Sequence, residues 1–157
     1  MSYQIYPADP AQTGAILELF PRLAAFDLPP EREPADLWRG DAELLRQWAA
    51  GSLPECLVRV AVGDGGKVLG VAMARLREEH LSHAPSAHLE VLAVGAEAEG
   101  QGIGAALVRE MERAVQAEGA RSMTLHVFAR NARARALYER AGYSGELVRY
   151  IKHFASS

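Results

Sequence analysis

The chain has a single cysteine, Cys56, so no disulfide can close within its 157 residues. No CxxC or Cys/His spacing surrounds it, which leaves no redox pair, and Cys56 reads as a small buried or half-buried residue. No spacing among the histidines suits a metal, so a zinc site is excluded. No apolar run approaches the roughly 20 residues that span a bilayer. The opening MSYQIYPADPAQ has neither the charged start nor the apolar core of a secretory signal. Excess positive charge is missing too: the formal net charge is −3, which gives no footprint for nucleic acid, and no basic amphipathic helix points to a membrane surface. Repeats, low-complexity tracts and linkers are absent. What remains is an ordinary globular composition, 49% apolar and 24% charged. The expectation is one soluble, cytoplasmic domain over residues 1–157, long enough to bury a core.

Apolar periodicity divides the chain into alternating elements. SYQIYPA alternates as a first strand, and Asp9 caps a helix whose first position is Pro10. After the break DLPPEREP, a second helix is expected from Ala35 to Ala50, with Leu37, Trp38, Leu44, Leu45 and Trp48 as its apolar stripe. Residues 56–79 read as two antiparallel strands joined at Gly63-Asp64-Gly65-Gly66. AHLEVLAV is a largely buried strand, and residues 101–118 form a helix with Ile103, Leu107, Met111 and Val115 along one face. RSMTLHVFA is a further strand, NARARALYERAG a helix, and YSGELVRYIKHF supplies one or two closing strands. The order β-α-α-β-β-β-α-β-α-β(β) predicts an α/β domain with one mixed sheet flanked by helices.

The stretch EVLAVGAEAEGQGIGAALV places Gly100, Gly102 and Gly104 between a strand and a helix. Glycine loses extra backbone entropy on ordering, so three together mark a loop that needs bare backbone. Such a turn suits an anion, because free N–H groups and the helix dipole point outward. A P-loop is excluded, since Gln101 stands where lysine is required and Gly102 where a magnesium-binding hydroxyl belongs. A dinucleotide-binding turn matches only through Gly100, Gly102 and Ala105. It lacks the direct strand-to-turn junction, and the one acid at a suitable distance, Glu118, precedes the next strand instead of ending it.

The segment Glu99-Gly100-Gln101-Gly102-Ile103-Gly104 resembles the acyl-CoA-binding signature of the GNAT N-acetyltransferase superfamily. NARARALYERAGY is similar to that family's second signature, an Asn-led helix that carries a tyrosine and ends in Gly-aromatic. The two occur in the right order with a strand between them, and the likeness covers essentially the whole chain. Glu99 stands where the family usually has Arg or Gln, and Ala96 where proline is common. The resemblance implies a GNAT-like fold, acetyl-CoA as co-substrate with no metal, and transfer of acetyl to a primary amine. It implies that backbone groups of Gly100, Gln101, Gly102, Ile103, Gly104 and Ala105 hold the pyrophosphate. It also implies that the strand carrying Leu92, Ala93 and Val94 splays from its neighbour, its amides facing the acetyl carbonyl and the pantetheine. Asn131 would cap its helix and bind the pantetheine arm, and Arg133 would meet phosphate, as Arg135 could.

Acetyl transfer needs a base, because free alkylamines are protonated at neutral pH. Glu90 is the first candidate: a carboxylate in an apolar strand has no cheap structural reason to be there. Strict alternation puts Glu90, Leu92 and Val94 on one face and Leu89, Val91 and Ala93 on the other. Pairing with Arg75 or Arg77 is the structural alternative. His88 lies on the same face and either shares the relay or replaces it. His126 is a third choice, more simply structural, and His80 and His83 lie in the loop before the strand. Tyr138 is the candidate acid for the departing thiolate. Six acids between Asp27 and Glu43, against Arg32 and Arg39, favour a small cationic amine or a basic peptide end as acceptor; six bases between Arg130 and Lys152 suit phosphate. On charge alone, two solvated helix faces are the simpler reading of both runs. A non-catalytic acyl-CoA binder on the same fold and a nucleotide-binding regulatory domain are the rival readings. LVRYIKHF leaves two states open: a homodimer paired through this strand, or a monomer with an exposed edge.

Overall fold

The computed structural model describes residues 2–155. Five strands form one sheet: β1 (Gln4–Pro7), β2 (Cys56–Val62), β3 (Val68–Glu78), β4 (Pro85–Val94) and β5 (Met123–Leu125), in that spatial order. Neighbours are antiparallel except β4 and β5, which run parallel. A parallel pair needs a long crossover, and helix α3 (Ile103–Ala117) supplies it. Helices α1 (Thr13–Leu17) and α2 (Arg39–Ala49) precede β2, and α4 (Ala132–Arg140) follows β5.

Two apolar layers sandwich the sheet. On one face Ile103, Leu107, Val108, Met111 and Val115 of α3 pack with Leu69, Ala72, Ala74, Ala87 and Leu89, flanked by Leu137 and Tyr138. The four-residue spacing of Ile103, Leu107, Met111 and Val115 is the stripe that buries. Gly70 permits the close approach of α3, since a Cβ there would lie 3.1 Å from Ile103 and Leu107 side-chain atoms and 3.2 Å from the Ala93 carbonyl oxygen. On the other face Ile16, Phe20, Ala42 and Leu45 pack with Val58, Val60, Val71, Met73, Val91 and Ala93.

Three expected elements differ. The first helix breaks into α1 and a 3-10 turn, Phe20–Ala24, because Pro21 disfavours helical geometry at the residue before it. The second helix starts at Arg39, since Trp38 (φ −139°, ψ −2°) separates it from a 3-10 turn at Pro34–Leu37. The expected closing strands do not form. No residue after Gly142 is in a strand, and no backbone–backbone hydrogen bond involves residues 144–155 among the described residues. Strand composition is present there, but a strand needs a partner edge and this segment lies against none.

Leu107, fully buried between α3 and the sheet, sets a stability prediction. Leu107→Ala should lower the unfolding free energy by about 2–5 kcal/mol, and the volume-conserving Leu107→Met by less than about 1.5. Denaturant titration of both variants checks this; equal effects would contradict tight packing at that position.

Candidate active site

The site begins with a fault in β4. Met73 of β3 faces Val91 and Ala74 faces Leu89, so Glu90 is an extra residue, a β-bulge. The bulge resets the alternation. Leu89, Leu92 and Val94 turn to the α3 layer, and Val91 and Ala93 to the α2 layer. Leu92 and Val94 therefore do not share a face with Glu90 as strict alternation predicts. Bulges bend their strand and increase its twist, and the sheet shows the result. Pairing of β4 with β5 covers Ala87, His88 and Leu89 and stops, whereas pairing with β3 runs on to Val94. From residue 90 to residue 94 the β5 side of β4 has no ladder partner among the described residues, so the two strands are joined at one end and unpaired at the other, a V in the hydrogen-bond ladder.

Titratable groups gather at the branch of the V. Glu90 is half-buried, and burial raises its pKa against the opposing pull of Arg75, Arg77 and His126. Asp41, in the first turn of α2, is pushed up to about 7, first by burial and then by the charge of Glu90. Two carboxyl groups from different elements thus share one partly desolvated space. Arg75 lies 3.3 Å from Glu55, and its buried Nε has no hydrogen-bond partner among the described residues. His88 is buried and its Nδ1 is 2.7 Å from the Thr124 hydroxyl of β5. Its ring stands 4.7 Å from that of exposed His126. Burial, then His126 and Arg77, hold the His88 pKa down near 4, so the ring is neutral at pH 7. His80 and His83 stay outside this group on the loop before β4, where His83 lies 3.3 Å from Glu78.

At the open end of the V, β4 runs into the glycine loop. Gly100 (φ +81°) and Gly102 (φ +77°) are left-handed, with nothing within 4 Å of an added Cβ. Backbone conformation by itself demands glycine at these two. Close approach does apply at Gly104, where a Cβ would meet Leu137 Cδ1 of α4 at 3.1 Å, with Val94 and Leu92 atoms at 3.8 and 4.0 Å. The end of β4, the first turn of α3 and α4 therefore converge on one point. Gly102 caps α3 without a side-chain acceptor, so the first N–H groups of a 15-residue helix face the loop at the positive end of its dipole. Gln101 is exposed beside them.

Helix α4 supplies the last groups. Asn131 caps it, its Oδ1 accepting from Ala134 N at 3.2 Å. Tyr138 packs beside the α3 layer, with its ring 6.0 Å from Tyr143 in an edge contact, and burial raises its phenol to about 12. It stays protonated at any ordinary pH. Arg133 lies 3.0 Å from Glu99, and Glu99 also pairs with Arg22 from the 3-10 turn. Arg22 Nε in turn donates to the Val94 carbonyl at 3.1 Å. Two arginines from opposite sides of the sheet thus meet on one carboxylate at the glycine loop, and together they hold its pKa down. The same two regions touch again where Phe26 meets Phe128 and Asp27 pairs with Arg130.

Sequence reasoning did not single out Asp41 or Arg22. Asp41 carried a signal, because it falls between Trp38 and Leu45 at helical spacing, an acid inside an apolar stripe. Arg22 carried none, since its partners Val94 and Glu99 are more than 70 positions away.

Solved structures share this architecture. An aminoglycoside antibiotic 6'-N-acetyltransferase from Acinetobacter baumannii superposes with a TM-score of 0.73 at 21% identity, covering 99% of this chain and 100% of the other. An acetyltransferase from Pyrococcus furiosus gives 0.78 at 21% identity over 98% and 100%. Glucosamine-6-phosphate N-acetyltransferase from Arabidopsis thaliana gives 0.68 at 15% over 99% and 100%. Among curated proteins, mycothiol acetyltransferase of Pseudarthrobacter chlorophenolicus is 34% identical over 85 residues, 54% of this chain, and the match spans 26% of that relative's length. A sequence profile of the Acetyltransferase (GNAT) family matches residues 17–143, which takes in the parted strands, the glycine loop and α4 alike: the chain belongs to the GNAT acetyltransferase family.

Proposed function

We propose that this chain transfers the acetyl group of acetyl-CoA directly to a primary amine of cationic character. The parting of β4 from β5 at Glu90, with the glycine loop at its open end, carries the reading. Acetyl-CoA fits the residues present on two counts. Its amide-bearing arm suits a strand edge with unmatched backbone groups, and its diphosphate suits an uncapped helix start reached through left-handed glycines. Leu92, Ala93 and Val94 would lie along the arm, Gly100 to Ala105 would hold the diphosphate, and Asn131 would meet the arm from α4. When bound, acetyl-CoA supplies an activated thioester.

The residues of the chain then divide the work. An ammonium entering from the α2 side meets Asp41 and Glu90, which favour its charge. Glu90 takes a proton from the amine, directly or through a water, and frees the nitrogen lone pair to attack the carbonyl carbon. Backbone N–H groups near Leu92 stabilise charge building on the carbonyl oxygen, a contribution of about 3 kcal/mol for a preorganised donor. Tyr138 gives its proton to the departing sulfur. Neutral His88, fixed by Thr124, shapes the wall beside Glu90 and can pass a proton towards His126. The aminoglycoside and the glucosamine-6-phosphate in the names of two structural relatives both bear amino groups, which is consistent with an amine acceptor.

Three measurements test this reading. Thiol release from acetyl-CoA should depend on an added amine, and Glu90→Gln and Tyr138→Phe should each lower kcat by about 10²–10⁴-fold with acetyl-CoA affinity retained. Unchanged turnover in either variant would remove that residue from the mechanism. Glu99→Gln frees Arg22 and Arg133 for phosphate, so calorimetry should show acetyl-CoA bound about two- to five-fold more tightly, as expected for an exposed ion pair. The gain should fade at high salt and be absent for acetyl-pantetheine, which has no phosphate; a gain for both ligands would refute the charge argument. Burial and Glu90 push Asp41 up from the ordinary aspartate range to about 7, so the native state holds the extra proton and stability falls as pH rises from about 4 through 7. Asp41→Asn should therefore raise Tm at pH 8 and lose that advantage near pH 4, and an equal Tm difference at both pH values would rule the shift out.

A further inference from the structure

Helix α4 ends in a way that ties two tyrosines together. Gly142 (φ +99°) turns the chain left-handed just past the cap residue Ala141. The Gly142 N–H donates to the Glu139 carbonyl at 3.1 Å, and the Tyr143 N–H donates to the Tyr138 carbonyl at 3.0 Å. This pair of bonds is a Schellman termination, in which the residue after the left-handed glycine packs back on the residue three before the cap. Here those residues are Tyr143 and Tyr138, and their rings meet edge-on at 6.0 Å and 74°. The end of the helix therefore fixes Tyr143 against Tyr138.

Tyr143 is held from its other end as well. Its hydroxyl donates to Glu112 Oε2 of α3 at 2.7 Å, a bond strengthened by the carboxylate's charge. Burial, and then Glu112, push the Tyr143 phenol well above its ordinary range, so it remains a donor. Helices α3 and α4 are thus pinned at two points. One is the close approach of Leu137 to Gly104, where a Cβ would lie 3.1 Å from Leu137 Cδ1. The other is the Tyr143–Glu112 bond, two turns further along α3. Tyr138 follows Leu137 in the chain and belongs to both contacts through its neighbours. No hydrogen bond holds the Tyr138 hydroxyl itself among the described residues, so its place depends on how the ring is packed.

We propose that Tyr143 is a positioning residue: tethered to Glu112 and packed against Tyr138, it sets where the Tyr138 hydroxyl stands and so whether that hydroxyl reaches the sulfur of CoA. The proposal rests on Tyr138 being the group that protonates the departing thiolate. Tyr143 itself touches no reacting atom. Its leverage comes from the steep fall of a hydrogen bond with distance. A shift of about 1 Å takes a phenol from a bond to none, and misplacement on that scale lowers rates by about 10²-fold. A bond that only held α4 down would contribute to stability and leave the sulfur unaffected.

The ionised thiol of CoA absorbs ultraviolet light, so its pKa in the complex can be read without turnover. The complex with S-methyl-CoA, which has no thiol proton to lose, serves as the blank. Tyr138→Phe should raise the thiol pKa of bound CoA by about 1, the worth of one hydrogen bond to a charged atom. Two variants release the tether: Tyr143→Phe, which keeps the ring, and Glu112→Ala, which frees the same hydroxyl from α3. Each should raise the thiol pKa by about half as much and lower kcat about tenfold, with the KM for acetyl-CoA unchanged. Glu112→Gln, which keeps an acceptor, should recover most of the wild-type thiol pKa. Leu45→Ala, a packing loss on the other face of the sheet, should not move it. Circular dichroism should show every variant folded. A thiol pKa unmoved in both tether variants, with Tyr138→Phe raised, overturns the positioning role and leaves Tyr138 as the acid. No rise in Tyr138→Phe overturns both readings. An equal rise in Leu45→Ala marks general loosening and overturns the role of Tyr143.

Discussion

One extra residue in one strand organises this molecule. Glu90 has no place in the ladder between β3 and β4, and the pairing of β4 with β5 stops at the residue before it. The same insertion brings a carboxyl group to the branch point and leaves the strand edge beyond it unpaired. A half-buried carboxyl group and an unpaired strand edge thus arise from a single geometric fault. The sheet can sustain that fault because both its faces are packed: α3 covers one side through Leu107 and Met111, and Phe20 and Leu45 cover the other. A two-stranded ribbon would slip its register instead.

Charge is distributed so that each group depends on a partner from a distant part of the chain. Asp41 and Glu90 crowd together and raise the free energy of the charged form. At the other end of the groove Glu99 reverses the logic. There the carboxylate is stabilised by Arg22 and Arg133. The α2 side of β4 therefore carries crowded carboxyl groups, and the glycine-loop end carries arginines already paired.

Much of the frame was legible along the chain. The helical repeat of Ile103, Leu107, Met111 and Val115, the Gly65-Gly66 hairpin and the Asn131 cap are local features, and local features fold as written. The glycine loop was legible too, though for a reason that needed the structure: Gly100 and Gly102 are required by their left-handed φ, and only Gly104 by crowding against Leu137. Glu90 was visible as an acid in an apolar strand. Its bulge was not, because alternation assumes a regular pleat, and a single insertion inverts the face of every residue after it. The closing strands failed for a different reason: propensity is a property of a segment, but a strand requires a partner.

The sequence by itself determined most of the segments that became helices and strands, where the glycine loop lies, and that a carboxylate sits in an apolar strand and a phenol in the last helix. Those features depend on periodicity and on residue type, both of which are written in the order of the residues. Only the tertiary structure decided that β4 parts from β5, that Asp41 comes to share a space with Glu90, and that Arg22 and Arg133 converge on Glu99. These are contacts between residues 34, 49 and 77 positions apart or shifts of register. Neither leaves a periodic trace, because each depends on how whole elements stack and not on what any one of them contains.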